Sequence, residues 1–283
     1  MTQVIQRRRE RRYLERFAFY LSCSMIVLMF ILCLASYFTS QDPTAVDLTQ
    51  RFQPPSAAHW AGTDQFGRDI LTRIMYSMRS FIMISMGAVL VGATLGSLIG
   101  LVAGVARPGW RRLMMSVVDG FIAFPGILLA LLIIFILGKG QWNTVVAISL
   151  MLMPTFAKLA YSTTLEVLDK DFVKAAYSYG LSRWEILFRH VLPFYVPKLI
   201  TQASGSVASS MMIESSLSFL GLGVQPPNAS LGLMMNEAQQ YALLYPYMIL
   251  PTGIVLVSVV LAFIMLGDSL NDRWQLRTEV WDD

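Results

Sequence analysis

The chain has 283 residues, of which 55% are apolar and only 14% are charged. Soluble domains carry about 25% charged residues, so this chain lacks the polar side chains needed to cover a water-exposed surface. The composition excludes an ordinary soluble domain and indicates a protein surrounded mostly by lipid. Its apolar runs are long and do not alternate with polar residues, which favours helices over the strands of a membrane barrel.

The charge and the reactive residues give no sign of nucleic-acid or metal binding. The net charge is +4, and the basic residues are scattered among the apolar runs. Cys23 and Cys33 lie in one apolar run, where free cysteine acts as a small hydrophobic residue. His59 and His190 are far apart in the sequence. We therefore predict neither a disulfide nor a metal site.

The N-terminal third predicts one membrane span between two polar segments. Residues 1–16 contain six arginines, which favours a cytoplasmic tail over a merely solvated one. Residues 17–39 are long enough to cross a bilayer, and a cleaved signal peptide, whose apolar region is shorter, is the alternative. Residues 40–78 form a polar segment that we predict on the outer side.

Two apolar runs follow, at about 80–105 and 113–137. Small residues at Gly92, Gly96, Gly100 and Gly104 form a stripe along the first run, which predicts close helix packing within the chain or against a second subunit. Pro125-Gly126 predicts a bend in the second run. An acid inside a span, here Asp119, is a functional candidate, and the alternative is an acid near the cytoplasmic end that is simply solvated or paired with an arginine of the 107–112 link.

The C-terminal half predicts three further spans, at about 143–165, 197–222 and 248–267. Pro154 is expected to kink the first of them. The second is rich in serine and holds one acid, Glu214, so we expect it to line a helix interface or a wet passage. An outer loop at 223–247 precedes the last span, and residues 271–283 form a polar tail.

Basic residues are distributed unequally between the two sides of this six-span arrangement. Of the 22 lysines and arginines, 17 fall on the side of the N-terminus and five on the other. Because basic residues concentrate in cytoplasmic segments, both termini are predicted to be cytoplasmic.

The segment 172–193, FVKAAYSYGLSRWEILFRHVLP, is the longest mixed polar and apolar run. It predicts two short helices, separated at Gly180, with Ser182 capping the second. Trp184, Leu187, Phe188 and Val191 have the spacing of one apolar helix face. Pro193 is expected to end this helix.

Three stretches carry a family resemblance. The segment 172–193 resembles the EAA-type coupling loop of ABC-transporter permeases, although Lys174 stands where that family usually has an acid. Residues 62–73 resemble the GTDxxGRDxxSR signature of the peptide/nickel branch, with Thr72 in place of serine. Residues 213–238 resemble its LSFLGLGVQPP signature, with Leu231 in place of the usual tryptophan.

The resemblance implies an all-α integral membrane protein with the type I ABC importer permease fold. It implies six transmembrane helices, five of them in a permease domain at 79–270 with a coupling loop at about 166–196, in a bacterial inner membrane. The chain itself is then not an enzyme, and it contains no GxxxxGK[ST] phosphate-binding loop. ATP and Mg²⁺ are expected on two cytoplasmic ATPase subunits, beside a second homologous permease and an extracytoplasmic solute-binding protein.

Two sets of site residues follow. Those expected to couple the chain to the ATPases are Ala175, Ala176, Gly180, Ser182, Arg183, Trp184, Phe188 and Pro193, with the two aromatic residues as anchors. Those expected along the translocation passage are Ser210, Met211, Glu214 and Asn236.

The expected function is import of short peptides, with nickel or a metal–chelator complex as the next choice. A secondary transporter or channel without an ATPase is the alternative, and it would need a relay of ionisable residues within the membrane. A membrane scaffold or receptor is a third class, and it leaves the amphipathic 172–193 segment unexplained.

Overall fold

The computed structural model describes the backbone of residues 2–39 and 42–279, and the side chains of residues 17–39 and 42–270. Within these ranges the chain folds into ten α-helices with short connections and no named β-strand. Their bounds are α1 Thr2–Phe38, α2 Ile70–Val105, α3 Pro108–Ile122, α4 Gly126–Leu137, α5 Gln141–Leu168, α6 Asp171–Ser178, α7 Arg183–Ile186, α8 Leu192–Phe219, α9 Leu231–Gln239 and α10 Leu250–Glu279. Two short 3₁₀ helices, Leu48–Gln50 and Pro246–Met248, and a π-helical turn, Leu187–Val191, complete the described elements.

Four of the described helical segments are long and apolar enough to cross a membrane. They are Phe17–Phe38, Ile70–Val105, Gln141–Leu168 and Pro246–Leu270. Helices α3 and α4 add a fifth if they form one span, although they meet at an angle of 93°. The break falls at Ala123–Pro125, and the predicted bend is therefore confirmed. Helix α8 has 28 residues, but its serine-rich sequence keeps it outside this apolar set.

Several boundaries differ from those expected from the sequence. Helix α2 begins at Ile70 rather than near residue 80, because the Asp69 carboxylate caps it by accepting a hydrogen bond from the Thr72 amide at 2.7 Å. The loop 223–247 contains a helix, α9, which Ser230 caps in the same way. The helix of the first span extends back to Thr2, while the arginine side chains of residues 1–16 lie outside the described residues. Residues 280–283 of the C-terminal tail also lie outside them.

The centre of the fold is the packing of α2 against α5. The predicted glycine stripe lies in this interface, so its packing role within the chain is confirmed. A Cβ added at Gly100 would overlap the carbonyl oxygen of Ala157, and one at Gly96 would overlap that of Met153. Because only glycine leaves this space free, the two helices approach backbone to backbone.

Candidate functional site

The 172–193 segment forms the predicted pair of short helices around a left-handed turn. Helix α6 ends at Ser178, and Gly180 has φ +85°, a conformation that glycine adopts without steric cost. Helix α7 then begins with a capping box. The Ser182 amide donates to the Glu185 carboxylate at 2.8 Å, and the Glu185 amide donates to the Ser182 hydroxyl at 3.3 Å. The turn and the cap are both confirmed.

The capping box also shifts the pKa of its acidic residue, Glu185. The hydrogen bond from the Ser182 backbone amide, helped by the Ser182 hydroxyl, lowers the pKa of Glu185 below its ordinary value. Glu185 therefore stays ionised at neutral pH and keeps the cap formed.

One side of the segment is anchored on the transmembrane helices. Val173 and Ala176 of α6 are buried, together with Ile186, Leu187 and Val191 after the turn. All of these except Ala176 form one apolar cluster, whose other buried members are Leu101, Val105, Ala160, Val167 and Tyr195. The segment therefore has a fixed position on the ends of α2, α5 and α8.

The predicted apolar face of the second helix is wrong in its membership. Leu187 and Val191 point inward, but Trp184 and Phe188 are 53% and 63% exposed, and Ile186 takes the inward position instead. The reason is the π-helical turn at Leu187–Val191. A π turn aligns residues five apart rather than three or four apart, so Ile186 and Val191 share one face.

The predicted end of the helix at Pro193 is also wrong. Helix α8 begins at Leu192 and runs on to Phe219, with Pro193 in its first turn. The fixed φ of proline suits a helix, so the chain continues from the π turn into α8 through Pro193. The π turn and α8 thus join the short α7 directly to a long helix, without a loop between them.

The other side of the segment is exposed and partly aromatic. Trp184, Phe188 and Tyr179 are all large and exposed, and Ala175 lies on the same open side of α6, whereas Ala176 is buried. Arg183 is exposed as a residue, but its Nη1 donates to the carbonyl oxygen of Val105 at 3.1 Å, which ties α7 to the end of α2.

A buried ion cluster lies at the opposite ends of these helices. Asp64 Oδ2 accepts from Arg68 Nε and from Arg73 Nη1, both at 2.6 Å. Glu237 Oε2 accepts from Nη2 of Arg68 and from Nη1 of Arg73, both at 2.8 Å. We call these four residues the Asp64 cluster. It fastens the polar segment before α2 to α9.

Part of this arrangement is local in the chain. Asp64 and Arg68, four residues apart, form one of the ion pairs, whereas Asp69 contacts His59, with 2.9 Å between Asp69 Oδ2 and His59 Nδ1. Glu237 was not foreseen, because it is 169 residues from Arg68 in the chain.

The residues predicted along the passage lie inside the fold rather than on an open groove. Ser210, Met211 and Glu214 are fully buried, and Asn236 on α9 is partly buried. Ser210 donates to the carbonyl oxygen of Ser85 at 3.3 Å, and Glu214 accepts from the Ser218 hydroxyl at 2.8 Å. The first bond holds α8 on α2, and the Ser218 hydroxyl also accepts from the Val224 amide at 3.2 Å, which orders the turn after α8.

Asp119 pairs with a different cation from the one considered. Its Oδ1 lies 3.0 Å from Nζ of Lys158 on α5. Arg111 of the 107–112 link instead donates to the carbonyl oxygens of Ala103 and Gly104 at the end of α2. Pairing with the link, one of the alternatives for Asp119, is therefore wrong, while the Asp119 side chain is 60% exposed.

Curated relatives share most of this chain. It is 41% identical over 219 residues to the glutathione transport system permease protein GsiD of Pectobacterium atrosepticum, covering 77% of this chain and 72% of that protein. It is 34% identical over 253 residues to the probable D,D-dipeptide transport system permease protein DdpC of Escherichia coli, covering 89% and 85%. It is 36% identical over 250 residues to the dipeptide transport system permease protein DppC of Alkalihalophilus pseudofirmus, covering 88% and 82%.

Solved structures share the fold at low identity. The chain matches an inward-facing structure of the MetNI methionine ABC transporter with a TM-score of 0.56 and 19% identity, covering 69% of this chain and 93% of that one. An amino acid ABC transporter solved with histidines also gives 0.56, at 15% identity, covering 71% and 94%. The family model for the binding-protein-dependent transport system inner membrane component matches residues 96–279. With relatives this similar along most of its length, the chain belongs to that family, the inner-membrane permease subunits of ABC importers.

Proposed function

We propose that this permease subunit forms half of the passage of an ATP-driven importer for short peptides. A second homologous permease would form the other half, two cytoplasmic ATPase subunits would supply ATP and Mg²⁺, and an extracytoplasmic solute-binding protein would deliver the substrate. The peptide class is supported by the relatives, whose names assign them to glutathione and dipeptide transport. Nickel or a metal–chelator complex is the second choice.

One observation carries the coupling role: an exposed aromatic surface is built on a rigidly anchored base. Trp184 and Phe188 stand in the open, while their neighbours Ile186, Leu187 and Val191 are buried in the protein. Exposed aromatic residues on a fixed helix are suited to fill pockets of a partner. We assign Ala175, Trp184 and Phe188 to the contact with the ATPases.

The remaining predicted residues shape and transmit that contact. Gly180 and Ser182 set the angle between α6 and α7, and Arg183 ties α7 to α2. Ala176 is buried on the inner side of α6, and Pro193 lies in the continuous connection to α8. A push on the aromatic surface would therefore move α2, α5 and α8 together as a rigid body, the kind of motion that switches a passage between two openings.

The membrane arrangement is part of the same proposal. We place the 172–193 segment and both termini in the cytoplasm, as the distribution of basic residues indicates. We count six crossings, with α3 and α4 as one bent span and α8 as the least apolar one. We keep the domain limits predicted from the sequence, including the permease domain at 79–270, although α2 itself begins at Ile70.

The coupling role is tested at Gly180. A Gly180→Val variant forces a β-branched residue into φ +85°, so we expect ATP-driven uptake to fall at least tenfold while the protein still reaches the membrane. Gly180→Asn is the matched control, because asparagine tolerates this conformation and no atom lies within 4 Å of the added Cβ. Labelled-peptide uptake and membrane abundance measure both effects.

Normal uptake by the valine variant would contradict the coupling role. Two measurements distinguish the importer from the competing class, a secondary transporter or channel: the dependence of uptake on nucleotide and the subunit composition of the purified complex. The importer requires stoichiometric ATPase subunits in the purified complex and no uptake without ATP.

A further inference from the structure

A cavity of about 820 Å³ opens between α3, α5 and α8 near the same helix ends that carry the 172–193 segment. We call it the Lys158 cavity. Its wall is mixed, and polar side chains reach it from all three helices: Arg112, Asp119, Thr155, Lys158, Ser162 and Gln202. Neither the coupling segment nor the Asp64 cluster contributes to it.

The depth of Lys158 makes its exposure unusual. Helix α5 has 28 residues, or about 42 Å at 1.5 Å per residue, against a hydrocarbon core of about 30 Å. If α5 is centred in the bilayer, Lys158, ten residues before the helix ends at Leu168, lies roughly 9 Å inside the core. Yet the side chains of Lys158 and Asp119 are 51% and 60% exposed.

Charged groups at that depth do not face lipid. Ionisable residues within spans face a bundle interior or a water-filled cavity, and here both partners of the pair open into the Lys158 cavity. The open face of α8 continues the same polar path, since Gly205 and Ser209 are exposed and follow Gln202 at helical spacing. The cavity is therefore suited to be wet when the subunit is assembled.

The charges also favour one class of ligand. Arg112 and Lys158 stand against the single carboxylate of Asp119, and this excess of positive charge disfavours a free metal cation. A short peptide carries an ammonium and a carboxylate at its ends. If it enters between the two side chains, Asp119 meets the ammonium and Lys158 meets the carboxylate, so neither charge is left unpaired.

Resting on the proposed importer function, we infer that the Asp119–Lys158 pair is a binding point of the passage, which opens to receive the charged ends of a short zwitterionic peptide. The passage then follows the exposed faces of α3, α5 and α8. The buried residues Ser210, Met211 and Glu214 support α8 behind this surface.

The test compares two lysines that make similar ion pairs. Lys198 on α8 pairs with Glu166 on α5 at 2.6 Å, with both side chains about half exposed, and it does not line the cavity. Lys158→Gln and Lys198→Gln complexes are reconstituted with their ATPases, and ATP-driven uptake of labelled Ala-Ala is measured at saturating binding protein. We expect Lys158→Gln to raise the half-saturating peptide concentration or lower uptake at least tenfold, and Lys198→Gln to stay within twofold of the unmodified complex.

A second measurement reads the site without relying on uptake. Ser162→Cys, at an exposed position of the cavity wall one turn from Lys158, is made in a Cys23→Ser, Cys33→Ser background and treated with a membrane-impermeant thiol reagent from the side of the 172–193 segment. We expect rapid labelling, slowed at least threefold by millimolar Ala-Ala, whereas a cysteine replacing the exposed α1 residue Val27 stays unlabelled.

Two results would overturn the inference while leaving the importer intact: unchanged uptake in Lys158→Gln, or no labelling at position 162. Labelling that responds to anionic lipid in the vesicles but not to peptide would assign the cavity to a lipid headgroup and overturn it too. Failure of the proposed function looks different, because the unmodified complex would then transport without nucleotide.

Discussion

At the scale of single residues, Asp64 holds the largest share of the contacts in its cluster. Its carboxylate accepts from two arginine side chains and from the amides of Phe66 and Arg68. The side chains of Asp64, Arg68 and Arg73 are between 3% and 8% exposed. Water therefore cannot replace a lost partner easily.

We predict that Asp64→Ala lowers the free energy of unfolding by about 3–5 kcal/mol, the usual cost of leaving a buried charge without its partner. Thermal unfolding of the detergent-purified protein measures the change. Lys174→Ala is the control: its pair with Asp171 is 62% and 98% exposed, and such pairs contribute about 0–1 kcal/mol. Equal melting temperatures for the two variants would show that the Asp64 cluster is not a clamp.

At the scale of elements, the α2–α5 interface depends on the absence of side chains at its glycines. We predict that Gly100→Ala forces the two helices apart, because the new Cβ would overlap the carbonyl oxygen of Ala157. The cost should reach the upper part of the 1–3 kcal/mol typical of overpacking, measured by thermal unfolding in detergent.

Gly253→Ala on α10 is the matched control for that change. No atom lies within 4 Å of its Cβ, and alanine favours a helix by about 1 kcal/mol over glycine. The control should be neutral or stabilising. If Gly100→Ala behaves in the same way, the close approach of α2 and α5 is not required for stability.

The same scale shows what sequence patterns can and cannot predict in the 172–193 segment. The turn at Gly180 and the cap at Ser182 depend on neighbouring residues only, so the sequence predicted both. The burial of Ile186 in place of Trp184 depends on a π turn, and no local sequence pattern predicts that turn. The open position of Trp184 and Phe188 is what makes the segment a candidate contact surface.

At the scale of the whole molecule, hydrophobic runs predicted the all-helical membrane fold but not its long-range contacts. The apolar spans, the glycine stripe and the bend before Gly126 follow from composition and spacing. The contact of Glu237 with Arg68, and of Asp119 with Lys158, joins residues far apart in the chain. A single sequence does not indicate which distant charged residues meet in the fold. Neither Glu237 as the partner of Arg68 nor Lys158 as the partner of Asp119 was therefore predicted.

Helix α8 decides how many times the chain crosses the membrane. It is too polar to be counted among the apolar membrane-spanning helices. Its 28 residues nevertheless span about 42 Å, more than the roughly 30 Å of a hydrocarbon core. Four of its serines, Ser206, Ser210, Ser215 and Ser218, and Glu214 are buried inside the fold, with bonds such as Ser218 to Glu214. A helix covered by protein in this way needs little apolar surface of its own.

We therefore predict that the two ends of α8 lie on opposite sides of the membrane. Cysteines replacing Tyr179, which is 87% exposed before α8, and Leu243, which is fully exposed beyond it, are treated with an impermeant thiol reagent in a Cys23→Ser, Cys33→Ser background. The Leu243 position should react in intact cells stripped of their outer membrane, and the Tyr179 position only in inverted vesicles. Reaction of both from one side would make α8 a re-entrant element, and the even number of crossings, with both termini in the cytoplasm, would have to be abandoned.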